Sequence, residues 1–414
     1  MSLKNILKES TTSADNPAGR PDLLDFTRSI NNLVYTELVA LQPTTQPVSA
    51  LFGVRYMNAN GDMSYTTAAT YGGQYGDQYA TSKQVAAGSY VAGDMFLLEN
   101  VLYKVLAPIT VSSTAQADVY SFVMQGKVRT VSEAAQTSKF EGANAVIQNT
   151  NFRLDKWQTE VKTRKLKTEI TVETLEDLSA VSVDGEKIMK DFMITMISED
   201  INKDILQKLI TVSKRFKVDG LSPNGYLDLS SVEVTDSLLS YRLTRYVAEM
   251  AASATRKTGF NPNYVVASSR VAGILQTAGI EQTPGTKSPG FLTKLGMDLY
   301  VDTTTPFDYV IVGVKVNDMF DDKMETVGSL VFSPYQEGDK AGMIRVVTDP
   351  DSLQNNVMVM SRYSLSVNPY ATTQDDFDKI RITQGDDWDN LVGRSDLSMF
   401  LGVLLPEVLN DDED

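Results

Sequence analysis

The side chains that carry most enzyme chemistry are missing from this sequence, because its 414 residues include no histidine and no cysteine. Without His there is no Ser-His-Asp triad, no Cys-His pair and no imidazole ligand for zinc. Without Cys there is no disulfide framework, thiolate nucleophile or cysteine-bound iron–sulfur cluster. The chain must therefore be stabilised by packing, and any chemistry falls to carboxylates, amines and hydroxyls.

The carboxylates that could act as a catalytic pair or bind a cation fall into three short groups. They are Glu173, Glu176 and Asp177, then Asp318, Asp321 and Asp322, then Asp386, Asp387 and Asp389. The first group has the spacing of an ordinary helix surface, and nothing in the sequence makes it converge on a cleft as an acid/base pair must. The other two lack the alternate acids and the sixth-position Gly of a calcium loop. We predict no catalytic, cofactor-binding or metal-binding residues, and hence no enzyme and no cofactor.

Basic residues cluster along one stretch that has the character of a strand. They are Arg153, Lys156, Lys162, Arg164, Lys165 and Lys167. Phe152 and Trp157 lie among them, which suits nucleic acid, but Glu160 and Glu169 interrupt the run. We favour an interface with an acidic neighbouring subunit over a plain solvated face.

The overall charge argues against nucleic acid and the hydropathy against a membrane. The net charge is −15, and residues 371–414 hold twelve acids against three bases, so we expect an acidic tail there. A DNA-binding protein needs a basic patch, so no sequence-specific nucleic-acid binding is expected. The densest apolar run, Met399–Leu405, is far shorter than the roughly 18 residues of a membrane span. No membrane partner is expected.

The expected elements mix helices and strands, which gives an α+β chain of more than one domain. A long helix is predicted over 184–214, where it would act as a strut or spine. Its apolar stripe comprises Ile188, Phe192, Met196, Ile201, Ile205 and Leu209, with Met189, Met193 and Ile197 beside them. Further helices are expected at Tyr241–Arg256 and after Ser268 or Ser269. Strands are expected at Met95–Leu98, Val101–Leu106, Val119–Met124, Val161–Val172, Tyr264–Ala267, Met297–Val301, Val310–Val316, Leu330–Phe332, Met343–Val347 and Val357–Val367.

Four ordered segments resemble the major capsid proteins of T4-like tailed bacteriophages, which have the HK97-type fold. They are LVALQPTTQPVSALFGVRYM, NFRLDKWQTEVKTRKLKTEITVETLEDLSAV, NYVVASSRVAGIL, and a last stretch that runs from LGMDLYVDTTTPFDYVIVGVK through GSLVFSPYQ to MSRYSLSVNPY. Each segment is short, but their shared order makes the resemblance specific.

The resemblance implies the domain organisation of that fold. The implied parts are a leader over 1–9, an N-terminal arm over 10–50, an extended loop with a small β insertion over 51–150, a peripheral domain over 151–235 and 345–414 with the spine helix, and an axial domain over 236–344. The insertion, GSYVAGDMFLLENVLYKVL, is similar to a carbohydrate-binding module that clamps subunits together. A prohead protease would cut at Leu7-Lys8-Glu9, before Ser10, and the similar Ile197-Ser198-Glu199 falls in the predicted long helix.

The function implied is that of a major capsid protein that assembles in the bacterial host cytoplasm and resides in the virion capsid. Its hexameric capsomers would build the icosahedral or prolate head around the double-stranded DNA. Vertex, portal, scaffold and decoration proteins would be further partners. Two alternatives stay open, a pentameric vertex protein of the same family and a carboxylate-based carbohydrate-active enzyme with a sugar-binding module.

Overall fold

The computed structural model describes residues 38–57, 83–98, 101–112, 115–131, 141, 151–180, 185–218, 222–230, 236–277, 290–292, 295–320, 323–335, 343–348, 355–368 and 385–406. Every structural statement below concerns these residues. The predicted leader, with Leu7, Glu9 and Ser10, lies outside them.

The strands, in chain order, are β1 Ala40–Leu41, β2 Val48–Met57, β3 Lys83–Gln84, β4 Gly88–Tyr90, β5 Met95–Leu98, β6 Val101–Val105, β7 Ile109–Val111, β8 Val128–Thr130, β9 Asn151–Glu160, β10 Lys162–Ile170, β11 Ser213–Arg215, β12 Tyr226–Asp228, β13 Tyr264–Ser268, β14 Gly290–Leu292, β15 Met297–Asp302, β16 Tyr309–Gly313, β17 Lys315–Phe320, β18 Lys323–Gly328, β19 Leu330–Pro334, β20 Met343–Thr348, β21 Asn355–Val367 and β22 Ser395–Leu404. The helices are α1 Ala115–Met124, α2 Val172–Ala180, α3 Gly185–Val212, α4 Asp236–Thr258 and α5 Ser269–Thr277, with a 3-10 helix at Gly385–Leu391.

The larger sheet is covered by helices on both faces. Its strand order is β11-β22-β16-β13-β15-β14, and β12 also pairs with β22. Alternate residues of β13 point to opposite cores. Tyr264 and Val266 pack with α3, whereas Val265 and Ala267 pack with α4 and α5. Burial on both faces explains why these strands are apolar throughout rather than alternating.

A second sheet has the order β1-β19-β21-β10, with β20 paired to β21. Helix α3 covers one of its faces, where Val357, Val359, Phe332 and Leu365 join the same core as the helix. Strand β10 is antiparallel to β21 over its whole length, from Lys162 opposite Tyr363 to Ile170 opposite Asn355. Helix α3 thus packs against both sheets.

The long helix predicted over 184–214 is confirmed as α3, whose 28 residues span about 42 Å. Only part of its predicted apolar stripe is covered within the chain. Met193, Ile197, Ile201, Ile205 and Leu209 are buried. Ile188, Phe192 and Met196 are 46%, 43% and 41% exposed, and they lie one helical turn apart on the first half of the helix.

A small module with its own core follows the first long strand. Strands β3, β5, β6 and β8 form a four-stranded sheet, and β4 pairs with β7. Phe96, Tyr103, Val119 and Val128 are among its buried residues. Its two ends connect towards β2 and β9, which pair with each other over ten residues as a two-stranded ribbon.

The strand expected at Val119–Met124 is wrong, because these residues lie in α1. Ala115, Val119, Phe122 and Val123 recur with helical spacing and all pack into the module core. Asp118 in the first turn accepts a hydrogen bond of 2.7 Å from the backbone N–H of Ser112. A short apolar run rich in Val, Tyr and Phe fits a buried strand or a buried helix face, and here packing decides for the helix.

The sequence predicts an acidic tail over 371–414, and this prediction is wrong for residues 395–404. Strand β22, Ser395–Leu404, pairs antiparallel with β16 along Tyr309–Gly313 and parallel with β11 and β12. It is a central, buried strand of the larger sheet. The strand expected at Val310–Val316 is also divided, because β16 ends at Gly313, where it pairs with β22, and β17 begins at Lys315, where it pairs with β18.

Two close contacts join neighbouring strands of the larger sheet, β13, β15 and β16. Gly313 lies against the buried ring of Tyr264, where a Cβ would collide with the ring. Asp302, at the end of β15, accepts hydrogen bonds from the N–H and hydroxyl of Thr304 and from the hydroxyl of Tyr309, at 2.7–2.8 Å. Burial raises the pKa of Asp302, but these bonds and one from Thr305 outweigh it, so the pKa lies below its usual value.

Candidate intersubunit interface

The predicted basic residues are divided between two structural elements. Arg153 and Lys156 belong to β9 of the ribbon, where the register sets them opposite Arg55 and Phe52. The other four belong to β10, at the edge of the second sheet. The chain passes from one strand to the other at Val161, so the basic stretch spans the junction between the ribbon and the second sheet.

Strand β10 presents its basic side chains on opposite faces of the sheet, as strand geometry requires. Arg164 points to the α3 face, where it meets Asp200 and Asp204. Lys165 and Lys167 have the other parity and are exposed. The four basic residues of β10 therefore do not form one continuous surface.

Arg164 is engaged within the chain. Its Nε donates to the Tyr363 hydroxyl at 2.7 Å, and its other nitrogens lie 3.0 Å from Asp200 and 3.5 Å from Asp204. The Tyr363 hydroxyl in turn donates to Asp204 at 2.7 Å. Burial lowers the pKa of Arg164, but the Tyr363 bond and the two carboxylates outweigh it and raise the pKa above its usual value. Burial and the charge of Asp204 raise the pKa of Tyr363, which keeps this phenol neutral.

The outer face of the second sheet, away from α3, is both basic and apolar. We call it the outer basic face and define it by Lys165, Lys167, Arg345 and Met358. Met358 lies opposite Lys167 on one side and Arg345 on the other, and its side chain is 42% exposed. Lys167 forms an ion pair with Glu169 on the same strand. Exposed methionine flanked by cations is typical of a protein-binding surface.

A cleft of about 330 Å³ opens on the α3 side of β10. Its lining includes Lys162 and Arg164 from β10, Lys208 from α3, Tyr363 from β21 and Trp388 from the 3-10 helix. The Lys208 ammonium lies 4.7 Å from the centre of the Trp388 ring, and Trp388 itself is 5% exposed. We call this feature the Trp388 cleft.

The module carries exposed apolar side chains at one end. Val91, Leu106 and Met124 are 61%, 48% and 87% exposed. Backbone hydrogen bonds bring their loops together, since the N–H of Gly93 donates to Val105 and that of Leu106 donates to Lys127. We call these three residues the module tip.

The predicted carboxylate groups are not brought into a catalytic arrangement in the described residues. Glu173, Glu176 and Asp177 are all exposed on α2, as the helix-surface interpretation predicted. Asp318 lies on β17 opposite Glu325, and Asp389 is exposed on the 3-10 helix. No group of three described His, Cys, Asp or Glu side chains is placed to bind a metal.

Sequence reasoning missed the residues that surround Arg164. Tyr363, Asp204, Lys208 and Trp388 are far from β10 in the chain, and each resembles an ordinary surface or core residue in isolation. The regular helical spacing of Asp200, Asp204 and Lys208 was the one available signal, because it places all three on one side of a helix.

The chain has a two-stranded ribbon with no further strand on either edge in the described residues, a module with its own core, and uncovered apolar and basic surfaces. These are the features of a subunit that completes its burial in an assembly. Comparison with known proteins identifies the class of protein. The family model "Major capsid protein Gp23" matches residues 16–403. The chain therefore belongs to the Gp23 family of major capsid proteins, and the α+β capsid fold expected from the sequence is confirmed.

Two relatives from phage T4 agree with this assignment. The capsid vertex protein of Enterobacteria phage T4 is 39% identical over 431 residues, which cover 99% of each chain. The major capsid protein of the same phage is 22% identical over 92% of this chain and 81% of its own. Among solved structures, the capsid of Myoviridae phage XM1 aligns over 98% of this chain and 99% of its own, at 8% identity and a TM-score of 0.42.

The chain is thus a capsid protein of a tailed bacteriophage and a component of the virion capsid. In the described part of the chain, no helix combines the length and the apolar character needed to span a membrane.

Proposed function

We propose that the chain builds the head shell by associating with further copies of itself into ring-shaped hexameric capsomers, and that it acts by association without catalysis. The observation that carries this proposal is the β2–β9 ribbon with its module. A two-stranded ribbon is at best marginally stable alone in water. This one pairs over ten residues, and in the described residues neither edge has a further strand. A neighbouring subunit would supply the missing support.

The module tip supports a clamp between subunits. Val91, Leu106 and Met124 expose apolar surface at the end of a module that already has its own core. Surface of this kind is stabilised when a neighbour covers it, at about 25 cal/mol per Å² of apolar area. The exposed first half of α3, with Ile188, Phe192 and Met196, is a second surface suited to a neighbour.

The outer basic face supports the predicted contact with an acidic neighbour. Lys165, Lys167 and Arg345 give it positive charge in a chain of net charge −15. A cationic patch on an acidic protein favours association with another copy in a defined orientation.

We also propose a modified domain division, which the strand pairing supports. We assign α3 and the second sheet to the peripheral domain, and the larger sheet with α4 and α5 to the axial domain. Because β22 pairs with β16, residues 395–404 go with the axial strands rather than with the rest of 345–414. The leader cut between Glu9 and Ser10, and the vertex, portal, scaffold and decoration partners, stay predictions.

A second candidate role is the pentameric vertex of the same shell. It is favoured by the T4 capsid vertex protein, which matches 99% of this chain at 39% identity, against 22% for the T4 major capsid protein. Both roles use the same fold and the same kinds of contact, and they differ in the number of subunits that close the ring.

Negative-stain microscopy combined with light scattering tests these roles. Rings, tubes or shells at increasing protein concentration are expected, and sixfold or fivefold class averages would separate the hexamer from the vertex pentamer. A chain that stays monomeric at every concentration would contradict shell formation. The enzyme alternative is tested by hydrolysis of a polysaccharide panel, where turnover abolished by one Asp or Glu substitution would overturn the proposal.

A further inference from the structure

The Trp388 cleft combines an apolar floor with a cationic rim. Trp388 and Tyr363 are buried and form part of its lining, while Lys162 and Lys208 stand at its opening. The cleft is open to solvent between β10, α3 and the 3-10 helix. Its volume of about 330 Å³ suits a short stretch of peptide rather than a single ion.

The cleft is lined by two carboxylates, Glu160 and Asp204, as well as three cations, and only one of these cations forms an ion pair within the described residues. Arg164 is matched by Asp200 and Asp204. The ammonium groups of Lys162 and Lys208 form no ion pair with any carboxylate of the described residues, and Lys208 instead lies over the ring of Trp388. A cation held over an aromatic ring at the mouth of a cleft is pre-positioned to meet an anion.

We propose that this cleft receives the acidic segment 407–414 of a second copy of the chain. The segment reads EVLNDDED, so it joins two apolar residues, Val408 and Leu409, to five acids and has no basic residue. Its composition matches an apolar floor beneath a rim of two ammonium groups. The inference rests on the proposed assembly of the chain with further copies of itself.

The length of the segment favours its origin in another copy. Strand β22 begins at Ser395, beside the end of α3, where Gly393 donates to Thr211. Ten residues of strand then carry the chain roughly 30 Å away from that point. Lys208 lies on α3 five residues before β11, which pairs with the start of β22 at Ser395. The eight residues after Pro406 span at most about 28 Å fully extended, which is less than the roughly 30 Å back to that point.

Zero-length crosslinking of isotopically mixed assemblies tests the proposal. Full-length chains labelled with ¹⁴N and ¹⁵N are mixed in equal amounts, assembled, and treated with a carbodiimide, which joins amines to carboxylates in direct contact. We expect peptide pairs that link Lys162 or Lys208 to residues 407–414 and that combine both isotopes. The variant K208R keeps the positive charge and removes the amine, so its crosslinks should shift to Lys162.

A second measurement does not depend on crosslinking. Cleavage of the assembled chain by a glutamate-specific protease at Glu407 and Glu413 should be about fivefold faster in the double variant K162Q/K208Q, as expected from the loss of two exposed ion pairs. The matched control is K203Q, also on α3, whose lysine pairs with Glu199 and should leave the rate unchanged.

The outcomes separate this inference from the proposed function. Assemblies that form but give only same-isotope crosslinks, crosslinks to Asp375–Asp378 instead, no crosslink at all, or equal cleavage in the double variant and K203Q would overturn the inference alone. A dispersed chain that forms no rings or shells would overturn the proposed function and the inference together.

Discussion

Removal of the Tyr363 hydroxyl would test the polar network that joins β10 to α3. The substitution Tyr363→Phe keeps the ring, whose centre is 5.2 Å from that of Phe332. It removes the donor to Asp204 and the acceptor of Arg164. A hydrogen bond to a charged group contributes about 1.5–3 kcal/mol. Because the side chains of Arg164 and Asp204 are 35% and 22% exposed, water replaces part of this, and we expect a loss of about 2 kcal/mol in total.

The assay is urea unfolding of the dispersed subunit, followed by far-ultraviolet circular dichroism at neutral pH. The matched control is Tyr241→Phe, because Tyr241 is 67% exposed and its hydroxyl is solvated. We expect the control to change the free energy of unfolding by less than about 0.5 kcal/mol. An unchanged urea dependence would show that the two variants differ from the parent in stability rather than in compactness.

A double-mutant cycle with Asp204→Asn then assigns the loss to the network. If the hydroxyl acts through Asp204, the two substitutions should be non-additive by about 1 kcal/mol. Strict additivity, or a loss below about 0.5 kcal/mol for Tyr363→Phe alone, would refute the argument that this network stabilises the contact between β10 and α3.

Three further expectations follow from other parts of the fold. Gly313→Ala should destabilise the chain by about 1–3 kcal/mol, because its new Cβ displaces a buried ring, whereas Gly273→Ala on α5 meets nothing within 4 Å and should be neutral or stabilising in the same urea assay. Asp302→Asn should make the free energy of unfolding depend less on pH under acidic conditions. The lowered pKa of Asp302 means that its contribution is full above the unfolded value of about 3.9 and is lost as the pH falls through the folded value, so unfolding measured from pH 5 to pH 2 checks it. Leu209→Ala should cost the dispersed subunit about 3–5 kcal/mol. Phe192→Ala, at a 43% exposed position, should cost less than about 1 kcal/mol in the subunit and weaken assembly measured by light scattering, and an equal loss of subunit stability from both would contradict the interface assignment.

The sequence predicts the long elements well because their patterns are long. Helix α3 is within two residues of its expected bounds at either end, since apolar spacing sustained over 28 residues leaves no strand alternative. The same pattern cannot say what covers each apolar residue. Ile188 and Ile205 both belong to the predicted stripe, yet the first is 46% exposed and the second 1%, because Ile205 packs with the sheets of the same chain whereas Ile188 is not part of that core.

The failures have equally physical causes. Strand β22 is difficult to predict because Ser395–Leu404 is flanked by acidic residues on both sides. Its burial depends on long-range pairing with β16, which local charge density does not indicate. Helix α1 was misassigned because β-branched and aromatic residues suit either structure over so short a run. The cleft could not be foreseen, since it joins Lys162, Lys208 and Trp388 across more than two hundred residues of sequence.

The chain combines exposed apolar side chains with a large negative net charge. The module tip and the first half of α3 expose apolar side chains that a permanently monomeric protein would cover. A net charge of −15 opposes premature association of such subunits through mutual repulsion. In the proposed assembly, the cations of the outer basic face and of the Trp388 cleft would determine where acidic copies approach one another. Because repulsion acts over the whole surface and attraction only at these places, the charges would select the orientation in which the apolar surfaces meet, and burial of those surfaces would supply most of the stability of the proposed contact.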